Sequence, residues 1–362
     1  MKCEASSVVG CALQKMLSVL ALLFVGHSLA VGSKRCPPGC LCCDSSDLVK
    51  CRAKGFDKVP QGLPHGTWFL DLGANDLVKL EANDFDHLWF LKVLVLSNNR
   101  LKVLLSKAFC NLSFLERLDM SDNKLRQLPP DFSECLGALR ELRLVRNVLE
   151  HLEPPCLKKL ESLEKLDLSY NRLQTVAPDA LWGLTRLRHL YLQGNQLTTL
   201  HDGRLTMLLS LEVLLLGNNS ISEIETEALV SLPGLSLLGL EDNRLGQLKF
   251  KTFHNLQTPG THLRLSGNPW SCDCDLHHAF SKLQSVRHLH VDDYKQVTCH
   301  EPAQLAGEPL ARVESQLCVA ETATVLVITI TVLVTVMAAI VMAERNRKKG
   351  CESESDSDFQ EK

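Results

Sequence analysis

The sequence carries little net charge. Its 39 Lys and Arg residues nearly balance 42 Asp and Glu residues, which gives a formal charge of −3 over 362 residues. A nucleic-acid-binding chain normally has a basic excess, so this balance predicts that nucleic acid is not a partner. Disorder of the whole chain is also disfavoured, because 45% of the residues are hydrophobic.

Enzyme motifs are missing as well. The sequence has no phosphate-binding glycine loop, no Gly-x-Ser-x-Gly and no His-Glu-x-x-His. Four histidines near the C-terminus are interpreted as surface residues rather than metal ligands: His277, His278, His288 and His290. We therefore expect a protein without catalysis, without a cofactor and without a metal ion.

Cysteine, in contrast, is abundant. Fifteen cysteines are too many for a typical cytosolic protein of this size and indicate an oxidising compartment. The N-terminus predicts export, because a short apolar run over residues 16–25 precedes the small residues that end at Ala30. We predict a signal peptide over residues 1–30. A first membrane anchor is the disfavoured alternative, since the run is too short to span a bilayer.

A second apolar segment, residues 323–343, contains no charged residue. As a helix rising about 1.5 Å per residue, it covers the roughly 30 Å hydrocarbon core of a bilayer. Basic residues follow directly, and the positive-inside rule places them in the cytosol: Arg345, Arg347, Lys348 and Lys349. We predict a single-pass plasma-membrane protein with an extracellular N-terminus.

The remaining segment, residues 344–362, is predicted to be a cytosolic tail. Cys351 is a candidate for palmitoylation beside the membrane. Ser353 and Ser355 each precede an acidic residue by three positions, which suits an acidophilic kinase. The alternative is an unmodified, disordered acidic end. The tail is too short for a signalling domain, so we expect any signal to pass through a partner.

The interior of the chain is periodic. Asparagines recur every 24 residues, with a last one after 25: Asn75, Asn99, Asn123, Asn147, Asn171, Asn195, Asn219, Asn243 and Asn268. Leucines keep fixed positions around each of them; around Asn99 they are Leu91, Leu94, Leu96 and Leu101. This L-x-x-L-x-L-x-x-N-x-L pattern resembles the leucine-rich repeat, and the resemblance covers roughly residues 67–270.

The repeat implies an α/β solenoid, a leucine-rich-repeat horseshoe with a parallel concave sheet. The x-L-x-L-x part predicts a short strand whose leucines enter the core while its x residues face out. The asparagine amides predict a hydrogen-bonded ladder along the turns. We assign eight full repeats and one partial repeat to residues 67–267. Such an array needs covered ends.

Cysteine clusters flank the array and resemble the caps of extracellular leucine-rich-repeat proteins. We assign the caps to residues 31–66 and 268–320. Four cysteines permit three pairings, which the sequence alone does not resolve. The resemblance implies Cys36–Cys42, Cys40–Cys51, Cys272–Cys299 and Cys274–Cys318. Cys43 departs from the pattern and competes with Cys42. A zinc site is the disfavoured rival, because export favours disulfides.

Three further cysteines fall in consecutive repeats, on the convex side. Adjacent coils lie about 5 Å apart, so a bridge between Cys110 and Cys135 is geometrically feasible. Buried free thiols at these two positions and at Cys156 are an equal alternative. A catalytic cysteine is disfavoured, since no positioned histidine accompanies any of them.

The outward strand positions differ along the array. In the central repeats the charges alternate in sign: Arg117, Glu141 and Lys165 in one column, and Asp119, Arg143 and Asp167 in the other. We expect these neighbours to neutralise one another, and we favour that reading over an electrostatic docking site. Later repeats place four apolar residues together: Tyr191, Val213, Leu215 and Leu237. They are predicted to bind a ligand, unless the C-terminal cap covers them.

Two sequons predict glycosylation at Asn111 and Asn218. The expected function is cell-surface recognition of an extracellular or membrane protein ligand, as an adhesion molecule or co-receptor. The repeats and the C-terminal cap also resemble those of Toll-like receptors. The alternative is an auxiliary channel subunit acting through the span and the basic cluster, because single-span leucine-rich-repeat channel subunits share this order of segments. The ligand and the oligomeric state stay open.

Overall fold

The structure, a computed structural model, describes residues 36–43, 47–254, 256, 258 and 260–357; for residues 314–317, 319–322 and 348–357 it describes the backbone alone. The described residues form a solenoid in which each coil adds one short strand to a common sheet. We call it the concave sheet. The predicted signal peptide lies outside the described residues, as do the first five residues assigned to the N-terminal cap.

Within the described ranges, the concave sheet has 12 strands. They are β1 (Leu41–Cys43), β2 (Leu48–Lys50), β3 (Phe69–Asp71), β5 (Val93–Val95), β7 (Arg117–Asp119), β8 (Glu141–Arg143), β9 (Lys165–Asp167), β10 (His189–Tyr191), β12 (Val213–Leu215), β14 (Leu237–Gly239), β15 (Thr261–Arg264) and β17 (Leu289–Val291). Short separate pairs are β4 (Lys79–Leu80) with β6 (Val103–Leu104), β11 (Thr199–Leu200) with β13 (Glu223–Ile224), and β16 (Trp270–Ser271) with β18 (Cys299–Glu301). The predicted parallel solenoid is confirmed; of the described strand pairs, β1 with β2 is antiparallel.

The concave-sheet strands from β3 to β14 stack in register because each carries a buried leucine at its centre. Leu118 lies beside Leu142, and Leu142 beside Leu166. All three side chains are at most 1% exposed. The flanking residues of each strand point away from this core. Burial of the central leucines therefore fixes which side chains every coil presents on the concave surface.

The asparagines form the predicted ladder. Asn147 donates from Nδ2 to the carbonyl oxygens of Met120, at 2.9 Å, and Leu144, at 3.1 Å. Its Oδ1 accepts a hydrogen bond from the backbone N–H of Leu125 at 3.0 Å. Each buried rung thus satisfies polar groups of its own coil and of the preceding coil, which an apolar side chain would leave unpaired.

The residue before each ladder asparagine sits where the chain turns sharply. Tyr170 has φ 55° and Asn218 also has φ 55°, in the left-handed region. Glycine adopts this conformation without strain, and Gly194 and Gly267 fill the position in two coils. Side chains at this position project from one edge of the sheet, and Asn218 is exposed there.

Helices occur toward the C-terminus: α1 (Phe250–His254), α2 (Cys274–Ser285), α3 (Leu310–Leu317) and α4 (Val319–Ser357), with 3₁₀ helices at Tyr294–Gln296 and Ala303–Leu305. Asp273 caps α2, because its side chain accepts a hydrogen bond from the N–H of Leu276. Trp270 is fully buried and meets Phe280 edge-on, with ring centroids 5.6 Å apart. These contacts close the end of the core.

The cysteines pair within each cap and once between coils. The structure forms the four disulfides that the resemblance implies: Cys36–Cys42, Cys40–Cys51, Cys272–Cys299 and Cys274–Cys318. A fifth disulfide joins Cys110 to Cys135 in adjacent coils, with Cα atoms 4.8 Å apart. Among the described cysteines, Cys43 and Cys156 are free thiols. Of the three convex cysteines, Cys110 and Cys135 thus form the disulfide, whereas Cys156 is a buried free thiol.

Helix α4 contains a 25-residue segment, Ala323–Arg347, that is long and apolar enough to cross a membrane. It includes the predicted span, residues 323–343, and its side chains are exposed. The backbone stays helical as far as Ser357. The modification candidates Cys351, Ser353 and Ser355 lie in the part of α4 whose side chains are outside the description.

Candidate functional site

The concave surface carries one residue from each end of every strand, on either side of the buried leucine. The strand register aligns the first residues into one row and the third residues into another. In the first row His189 precedes Val213 and Leu237. In the second row Tyr191 precedes Leu215 and Gly239.

The four predicted ligand-binding residues lie together in these rows. We call Tyr191, Val213, Leu215 and Leu237 the apolar patch. All four are half-buried, so the patch is less exposed than an isolated strand would leave it. Tyr191 has a contact within the sheet itself, since the Lys165 ammonium lies 5.2 Å from its ring centroid.

Tyr191 keeps its phenolic proton. Burial raises its pKa above the usual value, and the negative charges of Asp167 and Glu141 raise it further. The phenol is therefore neutral at physiological pH and offers both a hydrogen-bond donor and an aromatic surface. An aromatic residue at the centre of a concave face is a common anchor for a protein ligand.

Two glycines interrupt the surface beside the patch. An ideal Cβ built on Gly217 would lie 2.7 Å from Oε1 of Glu241, and one on Gly239 would lie 2.8 Å from Oε2. Leu215 borders the same space, because its Cδ2 lies 3.0 Å from the Gly239 Cβ position. We call this space the glycine notch. The Glu241 side chain occupies it.

The central charged residues pair as expected in the first row and differently in the second. Glu141 receives three cations: Arg143 at 2.7 Å, Arg117 at 3.7 Å and Lys165 at 3.8 Å. In the second row, pairing of Arg143 with the aspartates on either side was expected and does not form. The reason is local: Asp119 and Asp167 accept hydrogen bonds from the backbone N–H groups of Ser121 and Ser169, in the turn after each strand.

Another row of charged residues, alternating in sign, lies directly before the first residues of the strands. It joins Lys92 to Glu116 at 2.9 Å, Arg140 to Glu164 at 3.2 Å and Arg188 to Glu212 at 2.8 Å. Its residues stand seven before each asparagine, so the 24-residue period could have revealed it. Exposed pairs of this kind contribute little stability, and we assign them no binding role.

Comparison with known proteins now adds to this geometry. A family model for the leucine rich repeat matches residues 90–149, 137–197 and 189–245. Residues 90–245 therefore carry leucine-rich repeats, and the chain is similar to the leucine-rich-repeat family. The leucine-rich repeats thus supply both the buried leucines and the asparagine ladder.

Solved structures with a similar fold support this similarity. The crystal structure of human trophoblast glycoprotein (Wnt-activated inhibitory factor 1) superimposes with a TM-score of 0.57 at 28% identity, over 77% of this chain and 96% of that chain. A TLR13–ssRNA13 complex gives a TM-score of 0.53 at 25% identity, over 64% of this chain and 38% of that chain. The leucine-rich-repeat array therefore resembles a Toll-like receptor ectodomain. The neighbour in that complex binds RNA, so the predicted absence of a nucleic-acid partner stays a prediction.

Among curated relatives is a leucine-rich-repeat and immunoglobulin-like domain-containing nogo receptor-interacting protein 1 from Pongo abelii. It is 38% identical over 66 residues, which is 18% of this chain and 11% of that protein. The chain spans only 11% to 37% of the length of the curated relatives that it matches. The similarity therefore concerns the leucine-rich repeats rather than whole proteins.

The sequence reasoning missed an aromatic group on the side of the leucine-rich-repeat array. Trp89 and Phe90 are each 48% exposed and stack with ring centroids 3.8 Å apart; Phe114 in the next coil is 55% exposed. Phe90 and Phe114 both stand nine before a ladder asparagine, which is the signal that could have found them. The predicted glycosylation site Asn111 lies three residues before Phe114 and is also exposed.

Both sequons occupy accessible positions. Asn111 Nδ2 donates to Asp86 of the preceding coil. Asn218 lies at the turn, whereas Asn219 belongs to the ladder and donates to Leu216 and Leu192 carbonyls at 2.9 and 3.0 Å. Glycosylation at Asn111 and Asn218 stays a prediction, and Asn218 stands three residues beyond Leu215.

One group in the C-terminal cap has metal-ligand chemistry. Cys274, His278 and Cys318 place their ligand atoms within 4.8 Å of one another. The two sulfurs are joined in a disulfide, so neither provides the thiolate that a zinc ion would need. The disulfide pairing supersedes the rival zinc interpretation of this cap.

Proposed function

We propose that this chain is a cell-surface recognition protein, an adhesion molecule or co-receptor, which binds a protein ligand through the concave sheet. The observation that carries the proposal is the apolar patch, where Tyr191, Val213, Leu215 and Leu237 lie side by side on rigid strands. Curated relatives whose names denote receptor interaction support this role. The binding is proposed to need no catalysis, cofactor or metal.

The proposed organisation follows the segments of the sequence. Residues 31–320 form the extracellular array with its two caps, and residues 323–343 span the plasma membrane. Residues 344–362 lie in the cytosol. The apolar segment of α4 supports this arrangement, because it is long enough for one crossing.

The test compares partners of the full-length protein on living cells with those of patch variants, by proximity labelling from the ectodomain. Leu215→Glu places a charge within the patch, and Tyr191→Ala removes its aromatic anchor. Val103→Glu is the matched control, because Val103 is 51% exposed on β6, outside the concave sheet. We expect both patch variants to lose protein partners that Val103→Glu retains, at equal surface expression. Unchanged partners in both patch variants would refute the proposal.

A second comparison addresses the channel-subunit alternative. One chain is full length; the other keeps residues 1–318 and carries a foreign span and tail. Partners held by both chains support recognition through the array. Partners lost with the native span and basic cluster would instead favour an auxiliary subunit of a membrane channel.

A further inference from the structure

We propose that Glu241 is a specificity-determining residue of the concave face, where it binds the guanidinium group of an arginine that the protein ligand presents to the apolar patch. This inference rests on the proposed function and names the chemistry of the partner. It follows from three features of the glycine notch: the position of the carboxylate, the absence of a paired cation among the described residues and a second unpaired acceptor two coils away.

The carboxylate of Glu241 lies against the sheet rather than extending into solvent. Gly217 and Gly239 leave room for it, since a Cβ on either residue would approach a carboxylate oxygen to within 2.8 Å. Oε2 is buried, and among the described residues no group donates a hydrogen bond to it. A buried carboxylate oxygen that accepts no hydrogen bond is an unfavourable arrangement unless a partner completes it.

No cation of the described chain neutralises Glu241. Arg264 is the nearest candidate by register, because β14 pairs Gly239 with Arg264, but the described ion pairs do not include Arg264 with Glu241. Glu141, four strands away on the same face, shows the opposite situation, with three cations within 3.8 Å. The concave face therefore holds one satisfied glutamate in its centre and one unsatisfied glutamate beside the apolar patch.

A second acceptor stands across Gly217. Gln193 and Glu241 occupy the same position in the coils on either side of Gly217, two residues before the ladder asparagine. Oε1 of Gln193 is also buried and has no hydrogen-bond partner among the described residues. The two residues lie two coils apart, about 10 Å at neighbouring-strand spacing, a separation that a planar group with several donors suits better than a single point charge. The guanidinium of arginine has five N–H donors, whereas an ammonium presents three from a single point.

Binding of a ligand to the apolar patch increases the need for a cation at Glu241. A ligand that covers Leu215 also removes water from the glycine notch, so the remaining hydration of Glu241 is lost. A ligand with an arginine replaces that hydration with charge-assisted hydrogen bonds. A ligand without a cation leaves a buried, unpaired charge and is rejected. Glu241 thereby selects among apolar ligands that the patch alone would accept.

The test uses cells that display the full-length chain and a phage library of random 12-residue peptides as the probe. Clones are kept when they bind the wild-type protein and fail to bind Leu215→Glu at equal surface expression. We expect arginine to be enriched in these clones over the unselected library. Synthetic peptides from them are then titrated against wild-type, Glu241→Gln and Glu223→Gln proteins. Glu223 is the matched control, since it pairs with Lys249 at 3.0 Å outside the concave sheet.

We expect Glu241→Gln to weaken binding at least about tenfold and Glu223→Gln to leave it unchanged. Replacing the peptide arginine by alanine should cause a similar loss in wild type and little further loss in Glu241→Gln. Selected peptides without arginine enrichment, or equal affinity for wild type and Glu241→Gln, would overturn this inference and leave the proposed function standing. A library that yields no clone sensitive to Leu215→Glu would overturn both.

Discussion

The asparagine ladder gives the sharpest test of what stabilises the array, through Asn147→Ala in one central rung. The substitution removes a long hydrogen bond to the Val145 carbonyl oxygen, at 3.5 Å, and three shorter ones whose partners are affected differently. Met120 O still accepts from Asn123 at 3.0 Å, and Leu144 O still accepts from Asn171 at 2.9 Å. The N–H of Leu125 loses the acceptor that Asn147 Oδ1 provides. The variant therefore creates one buried donor without a partner and two weakened acceptors.

The expected magnitude follows from these three changes. An unpaired buried N–H costs about 1–3 kcal/mol, and each of the two lost carbonyl bonds contributes about 0.5–1.5 kcal/mol. We expect a local destabilisation of about 3 kcal/mol, which raises the local opening equilibrium about a hundredfold. Because each coil contacts mainly its neighbours, the effect should centre on residues 120–149 and fade toward both caps.

Hydrogen exchange measured by mass spectrometry on the full chain in lipid nanodiscs reads this effect directly. We expect peptides containing Leu125 to lose about two orders of magnitude of protection. Asn83→Ala is the control, since Asn83 is exposed and lies outside the ladder. Protection at Leu125 equal to that of wild type would refute the ladder argument, and a uniform loss across the array would refute its local character.

Asn147→Asp adds a pH dependence of known sign. The introduced carboxyl group still accepts from Leu125, but when ionised it faces two carbonyl oxygens without a proton to donate. Burial against these oxygens raises its pKa in the folded state above the unfolded value. The destabilisation should therefore be largest at neutral pH and shrink as pH falls through the folded-state pKa. Exchange that is independent of pH, after correction for the intrinsic rate, would contradict this reasoning.

Three further outcomes test the cysteines and one glycosylation site. Replacing Cys110 and Cys135 together by serine opens a loop of 25 residues and should lower the free energy of unfolding by about 3 kcal/mol, measured by thermal denaturation; an unchanged transition would contradict it. Burial raises the pKa of the Cys156 thiol to about 12, so iodoacetamide at pH 8 should alkylate Cys43 in the native protein and reach Cys156 only after unfolding. Asn218→Gln should remove one glycosidase-sensitive mass increment from the protein expressed in mammalian cells, and no change would show that the site is unoccupied.

The fold was predictable because the period assigns every residue to a column. A 24-residue repeat of leucine and asparagine fixes strand register and the ladder at once, and both are confirmed. The same period predicts that Tyr191 lies beside Leu215, as the strand pairing has it. The period does not predict the conformation of each side chain, and so it does not predict which neighbour that side chain contacts.

That freedom explains the differences. Arg143 was expected to pair with the aspartates beside it, yet it turns along its own strand to Glu141, because the aspartates bind the turn that follows them. The glycine notch could not be predicted from the sequence. Neither Gly217 nor Gly239 indicates a notch by itself, and the space forms only because the two glycines lie diagonally to each other in adjacent coils, next to Glu241. The spacing of adjacent coils made a disulfide between Cys110 and Cys135 feasible. Whether it forms depends on the directions of the two side chains, which the period does not predict.

The Cys110–Cys135 disulfide also has a mechanical consequence. When the array is pulled by its two ends, tension follows the covalent chain, and this bond bypasses the segment between its cysteines, which are 25 positions apart. That stretch carries no load while the bond is intact. At about 3.5 Å per extended residue, it withholds about 90 Å of contour length. Coils on either side must unravel first, and reduction of a single bond would then release that length in one discrete step.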